Sequence, residues 1–235
     1  MTIDERERAR QEWFERREAR RAKQREQNVV RAQKMHLARL QFEGEAMPGT
    51  SGPGFVNQKH LIGCSGWYYW HWRDCFYEGA PSSQWFDYYA SQFHTVELNA
   101  PFYSWPTLAT VRMWKRQAGR RKFVYTIKVN ELITHSKRFA RCKTLVRDFG
   151  LIADLLGPRF GCFLFQLPPS FRYTPRTLRR VLDSLDPGRR NVVEFRHKSW
   201  WNGRVFDAFR ESNTIFCSIS GPRLPDELVK TTDEL

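Results

Sequence analysis

From His60 onward the apolar positions switch between two periods. Short runs that alternate faces are followed by longer runs with apolar residues three and four apart. The short runs LIGCSGW (61–67), TVELN (95–99), FVYTIKV (123–129), FGCFLFQLP (160–168), NVVEFRH (191–197) and TIFCSIS (214–220) predict six strands. Between them, SSQWFDYYASQF (82–93), TLATVRMWKRQA (107–118), CKTLVRDFGLIADLLG (142–157), TPRTLRRVLDSLD (174–186) and GRVFDAFRES (203–212) predict helices. Pro175 suits the first turn of its helix, and Gly157-Pro158 ends the preceding one. Strands alternating with helices in this way argue for a parallel sheet with right-handed crossovers.

The polar exceptions carry the chemistry. In VVEFRHKSW (192–200), Val193 and Phe195 point one way, and Glu194 and Arg196 the other. Such charges are costly to bury unless paired or used. The same pattern places Glu97 and Asn99 opposite Val96 and Leu98, Lys128 and Asn130 opposite Ile127 and Val129, and Gln166 opposite Phe165 and Leu167. Strands that turn polar on one face towards their C-terminal ends build a site at one rim of a parallel α/β barrel.

Glu97 and Glu194 are candidates for an acid and a base, or for ligating a metal. Lys128 could act as a Schiff-base nucleophile or an electrostatic clamp, and Arg196 could hold a carboxylate or phosphate bidentately. Asn99, Asn130 and Gln166 are candidate substrate contacts. His135, just past the third strand, could be a general base or a loop histidine bonded to backbone. Trp67 and Tyr103 head aromatic loops that could stack on a ligand or simply pack over the rim. The alternative for the charged set is an ion-pair network, Glu97 or Glu194 with Lys128 or Arg196, filling the interior. No HExxH-like spacing supports a metal, so no metal ligands are assigned. No GxGxxG or P-loop pattern identifies a nucleotide cofactor, and the cofactor stays unknown.

Ahead of this region, residues 1–43 form a charged extension, helical or disordered, and 44–59 are a Gly/Pro/Ser-rich linker. Pairs such as Glu12–Arg16 and Glu18–Arg21 have helix-supporting spacing. Apolar residues are few, so the extension is expected to pack little against the domain at 60–235. The net charge is +14, of which residues 1–40 contribute +5 and residues 60–235 contribute +10. A basic chain attracts anions, and the arm is a candidate nucleic-acid contact. Five scattered cysteines without CxxC give no disulfide or zinc framework. No run is long and apolar enough to span a membrane, no signal core is evident, and a cytoplasmic location is expected.

IGCSGWYYWHW, VELNAPFYSWPT, ITH (133–135), LFQLPPSF and VEFRHKSW, in this order over about residues 61–232, resemble the YecE-like family, catalogued as domain of unknown function seventy-two. The resemblance implies a TIM-barrel-like parallel (β/α) barrel. At about 30 residues per βα unit, about six of its eight strands are expected in these residues. It implies no established activity. The expectation is an enzyme, or degenerate enzyme, acting on a small polar, anionic ligand at the rim. The alternative is a nucleic-acid or RNA-protein binding factor. An unclosed sheet also leads to the expectation of bare edges at LIGCSGW and TIFCSIS, open to self-association.

Overall fold

A computed structural model describes residues 3–44 and 60–233. The expected linker therefore lies, from residue 45 on, outside the described residues. The elements are α1 (Ile3–Gly44), β1 (Gly63–Cys64), α2 (Trp85–Gln92), β2 (Thr95–Leu98), α3 (Ala100–Tyr103), α4 (Leu108–Gln117), β3 (Val124–Lys128), α5 (Lys143–Leu156), β4 (Phe160–Gln166), α6 (Pro175–Ser184), β5 (Asn191–Glu194), α7 (Gly203–Glu211) and β6 (Ile215–Phe216). Every predicted strand is present but shorter than its apolar run, because the ladders stop where the chain turns into the rim loops. Helix starts follow capping chemistry: Thr107 and Asn202 accept N–H groups from the first turns of α4 and α7, and Thr174 forms a capping box with Thr177.

The six strands form one all-parallel sheet in the order β1-β2-β3-β4-β5-β6. Neighbours in sequence are neighbours in space, so right-handed crossovers place the connecting helices on one face. On that face Val96, Leu98, Tyr125, Ile127, Phe163, Phe165 and Val193 are buried with Trp85, Phe86, Val111, Phe149, Ile152 and Phe209 from the helices. The opposite face carries Glu97, Thr126, Lys128, Cys162 and Gln166, all half-buried. Two periods in the sequence thus become two faces of different chemistry. At Gly63 a Cβ would collide with the Thr95 carbonyl, so the close approach of β1 to β2 requires glycine there.

Among the described residues the sheet does not close on itself. The outer edge of β6 is nevertheless not bare, which corrects that part of the expectation. The Phe216 N–H donates to Thr231 Oγ1 at 2.9 Å, and the same hydroxyl donates to Thr214 O at 2.8 Å. Ser218 Oγ accepts from the Val229 N–H at 2.8 Å. Residues 229–231 therefore satisfy edge groups that a partner strand would otherwise find.

The N-terminal extension is a continuous helix, and its second half docks, against the expectation of a loosely attached arm. Asn28 is fully buried; its Nδ2 donates to Tyr103 O at 3.0 Å and its Oδ1 accepts from the Trp105 N–H at 2.9 Å. Ala32, Met35 and Ala38 join the core, and Trp105 Nε1 donates to Met35 Sδ at 3.2 Å. Arg39 Nε donates to Asp148 Oδ1 on α5 at 2.7 Å, with both side chains buried. Small alanines let α1 approach closely, and polar anchors replace the bulky apolar stripe on which the expectation depended. No helix among the described residues is long and apolar enough to cross a membrane.

Candidate functional site

Strand register sets the site. Gln166 on β4 pairs with Glu194 on β5. Glu97 on β2 pairs with Thr126 on β3, so Lys128 stands one same-face step beyond it. Because these residues are at the C-terminal strand ends, they open into one cavity of about 400 Å³. Glu97, Asn99, Lys128, Gln166, Glu194 and Arg196 all line it.

The charges in this cavity are arranged as two pairs. Lys128 Nζ lies 3.8 Å from Glu97 Oε1 and 5.3 Å from the centre of the Phe102 ring. Glu194 accepts from Gln166 Nε2 at 2.9 Å and from the Arg196 Nε–H through the same oxygen. Arg196 lies past the end of β5 yet folds back onto the carboxylate two residues before it. Its side chain is 45% exposed while that of Glu194 is 6% exposed, so the guanidinium covers the acid and still meets the opening. Burial pushes the Glu97 carboxyl above its ordinary 4.5; Lys128 opposes this and the charge of Glu194 adds to it. Beneath the pairs, burial and the Glu194 charge push the Cys217 thiol up to about 12.

Four residues read as site candidates do not reach this cavity. Asn130 is fully buried; its Nδ2 donates to Pro101 O at 2.7 Å and its Oδ1 accepts from the Leu132 N–H at 3.0 Å. Strand β3 ends at Lys128, so alternation no longer fixes the direction of Asn130, and the side chain splices two loops together. Trp67 packs edge-on against Phe86, with ring centres 5.0 Å apart, and its carbonyl accepts from the Tyr77 hydroxyl. His135 and Tyr103 line a different cleft, between α1 and the rim loops. The His135 ring sits edge-on to Phe102, with centres 5.0 Å apart, and its Nδ1 is 3.0 Å from Thr134 Oγ1. Burial, with Lys128 and Arg138 nearby, pushes its pKa down to about 4.

Sequence reasoning missed Ser65, Ile219 and Ser220, which complete the cavity. Ser65 directly follows β1, and its carbonyl accepts from Asn99 Nδ2 at 3.1 Å. Its position at a strand end was the available signal. Among the described residues no group of three or more His, Cys, Asp or Glu side chains is placed to hold a metal ion.

The family described as "Protein of unknown function DUF72" matches residues 61–234. The curated "UPF0759 protein YecE" of Escherichia coli is 35% identical over 117 residues, which are 48% of this chain and 42% of that protein. The match thus spans less than half the length of that relative. A crystal structure of a DUF72 family protein from Thermotoga maritima superposes with a TM-score of 0.65 at 25% identity, covering 74% of this chain and 71% of that one. One from Enterococcus faecalis gives 0.61 at 17% identity, covering 73% and 66%.

Proposed function

We propose a small-anion site for this chain, which belongs to the DUF72 family of proteins of unknown function. The ligand is a compact polar molecule bearing a carboxylate or phosphate, held where Arg196 and Lys128 meet the opening. The observation that carries this reading is the pairing of two carboxylates with two different cations on one cavity. Each acid has its own partner, and burial pushes Glu97 towards its protonated form. A carboxyl raised by burial beside a lysine suits proton transfer. Glu97 is therefore the proton carrier and Lys128 the group that stabilises charge developing beside it. Arg196 is the anion clamp, backed by Glu194 and Gln166.

The reaction class is acid–base chemistry on a small anionic substrate. A charge network that only filled the interior would leave neither an opening nor a 45% exposed arginine at it. We read the sheet as the larger part of a (β/α) barrel. Its consecutive parallel order and its polar C-terminal strand ends suit that architecture.

Isothermal titration with inorganic phosphate and with malonate tests the site. At least one should bind, and Arg196→Gln should weaken it about tenfold or more, as a lost charge-assisted contact does. Lys128→Met should weaken it too, with the circular dichroism unchanged. No binding of either anion, no small anion co-purifying with the protein by mass spectrometry, or affinity indifferent to both variants would contradict the proposal.

A further inference from the structure

A larger cleft, about 1210 Å³, lies between the N-terminal half of α1 and the loops after β2 and β3. Arg16, Arg17, Arg20, Arg21 and Arg25 line one wall, and Tyr103 and His135 stand on the other. Residues 16–25 hold six basic side chains and a single acid, Glu18. Arg16 and Arg21 pair with Glu12 and Glu18 on the helix itself, but these side chains are 47–69% exposed. Exposed pairs of this kind hold their charges weakly and release them readily. Among the described residues, Arg25 is the one of these arginines that reaches an acid across the cleft, Glu131 at 3.9 Å.

Two large aromatic rings are left open here. Trp13 is 54% exposed and Tyr103 is 58% exposed, one on each wall. Arg17 lies over the Trp13 ring at 5.1 Å. The arginines are not on a free tail, because Asn28, Met35 and Arg39 fix the helix that carries them.

We propose that this cleft binds single-stranded nucleic acid, with phosphates along the arginine wall and unpaired bases stacked on Tyr103 and Trp13. Guanidinium groups match phosphate oxygens in pairs, and open rings beside a basic track are what unpaired bases use. A duplex keeps its base faces covered and could not use the rings. An acidic peptide would satisfy the arginines and leave both rings without a stacking partner. This reading is independent of the small-anion cavity, since none of the residues invoked lines it.

Fluorescence anisotropy with labelled oligouridylate and oligothymidylate, roughly twelve nucleotides long, tests it on the full chain. Binding should weaken steeply between about 50 and 200 mM salt. The variant Arg17→Ser/Arg20→Ser/Arg21→Ser should lose tenfold or more and flatten the logarithmic salt slope by about 2. Tyr103→Ala should lose about fivefold or more with the slope unchanged, which a general polyanion surface would not show. Tyr103 lies on the surface, so this variant decides the matter even if the triple variant misfolds. Absence of binding, equal affinity for heparin or duplex, preference for polyglutamate, or indifference to Tyr103→Ala would overturn the proposal.

Discussion

The two clefts of this molecule are both rich in charge, and they differ in how the charge is balanced. At the sheet ends each acid faces its own cation across 4 Å or less, and Glu97, Lys128 and Glu194 sit on strands fixed by ladder register. Along α1 the arginines answer mainly to glutamates of their own helix. Paired charges on rigid strands can shape a small cavity and shift a proton affinity. Unbalanced charges along a helix offer a track with little shape. The first arrangement suits one small ligand and the second a chain of repeating phosphates.

The comparison depends on α1 being docked, and deleting it should have the largest effect. Removing residues 1–43 strips the buried Ala32, Met35 and Ala38 and leaves Asp148 without Arg39. Calorimetry should show the melting temperature falling by about 10 °C, as the loss of several kcal/mol implies. Removing only residues 1–22, whose described side chains are all exposed, should change it by less than about 2 °C. Small-anion affinity should survive both deletions. An unchanged melting point after the longer deletion would break the comparison, since the arginine cleft would then have no fixed wall.

Asp148→Asn comes next. It removes the buried charge partner of Arg39, leaving only the more exposed Glu43, and should cost about 3 kcal/mol in urea unfolding. Asn28→Ala removes a side chain that joins Tyr103 O and the Trp105 N–H, and should cost about 2 kcal/mol. In both variants nucleic-acid affinity should fall while anion affinity holds. Equal loss of both would mean that the two clefts are not separable.

These same residues show where the sequence was legible. Strands and helices followed from period alone, and alternation brought Glu97, Lys128, Gln166 and Glu194 to one face because each lies within a ladder. Asn130 was misread because the ladder ends at Lys128 and its amide turns to Pro101. Docking of α1 was hidden because its contact stripe is Asn28, Ala32, Met35 and Arg39, at helical spacing but small or polar. Ser65 and Ser220 carry no pattern of their own. The cleft that Tyr103 and His135 line arises from packing between distant segments, as in the Arg39–Asp148 contact with its separation of 109. No local pattern encodes that.

A smaller effect concerns pH. The His135 pKa is pushed down to about 4, below its ordinary 6.5. As pH falls the unfolded chain takes the proton first, so the stability present above pH 6.5 is lost between there and about 4. His135→Asn should flatten the decline of melting temperature over that window by a few degrees at most. A slope unchanged by the substitution would remove His135 from the half-buried wall of the α1 cleft.

The most direct test of the paired-charge cavity is a carbon-13 NMR titration of the Glu97 carboxyl in the full chain. Burial beside Lys128 predicts a midpoint above 4.5, and Lys128→Met should raise it further by removing the opposing charge. A midpoint at or below 4.5, unmoved by Lys128→Met, would contradict the account of Glu97 as the proton carrier of this site.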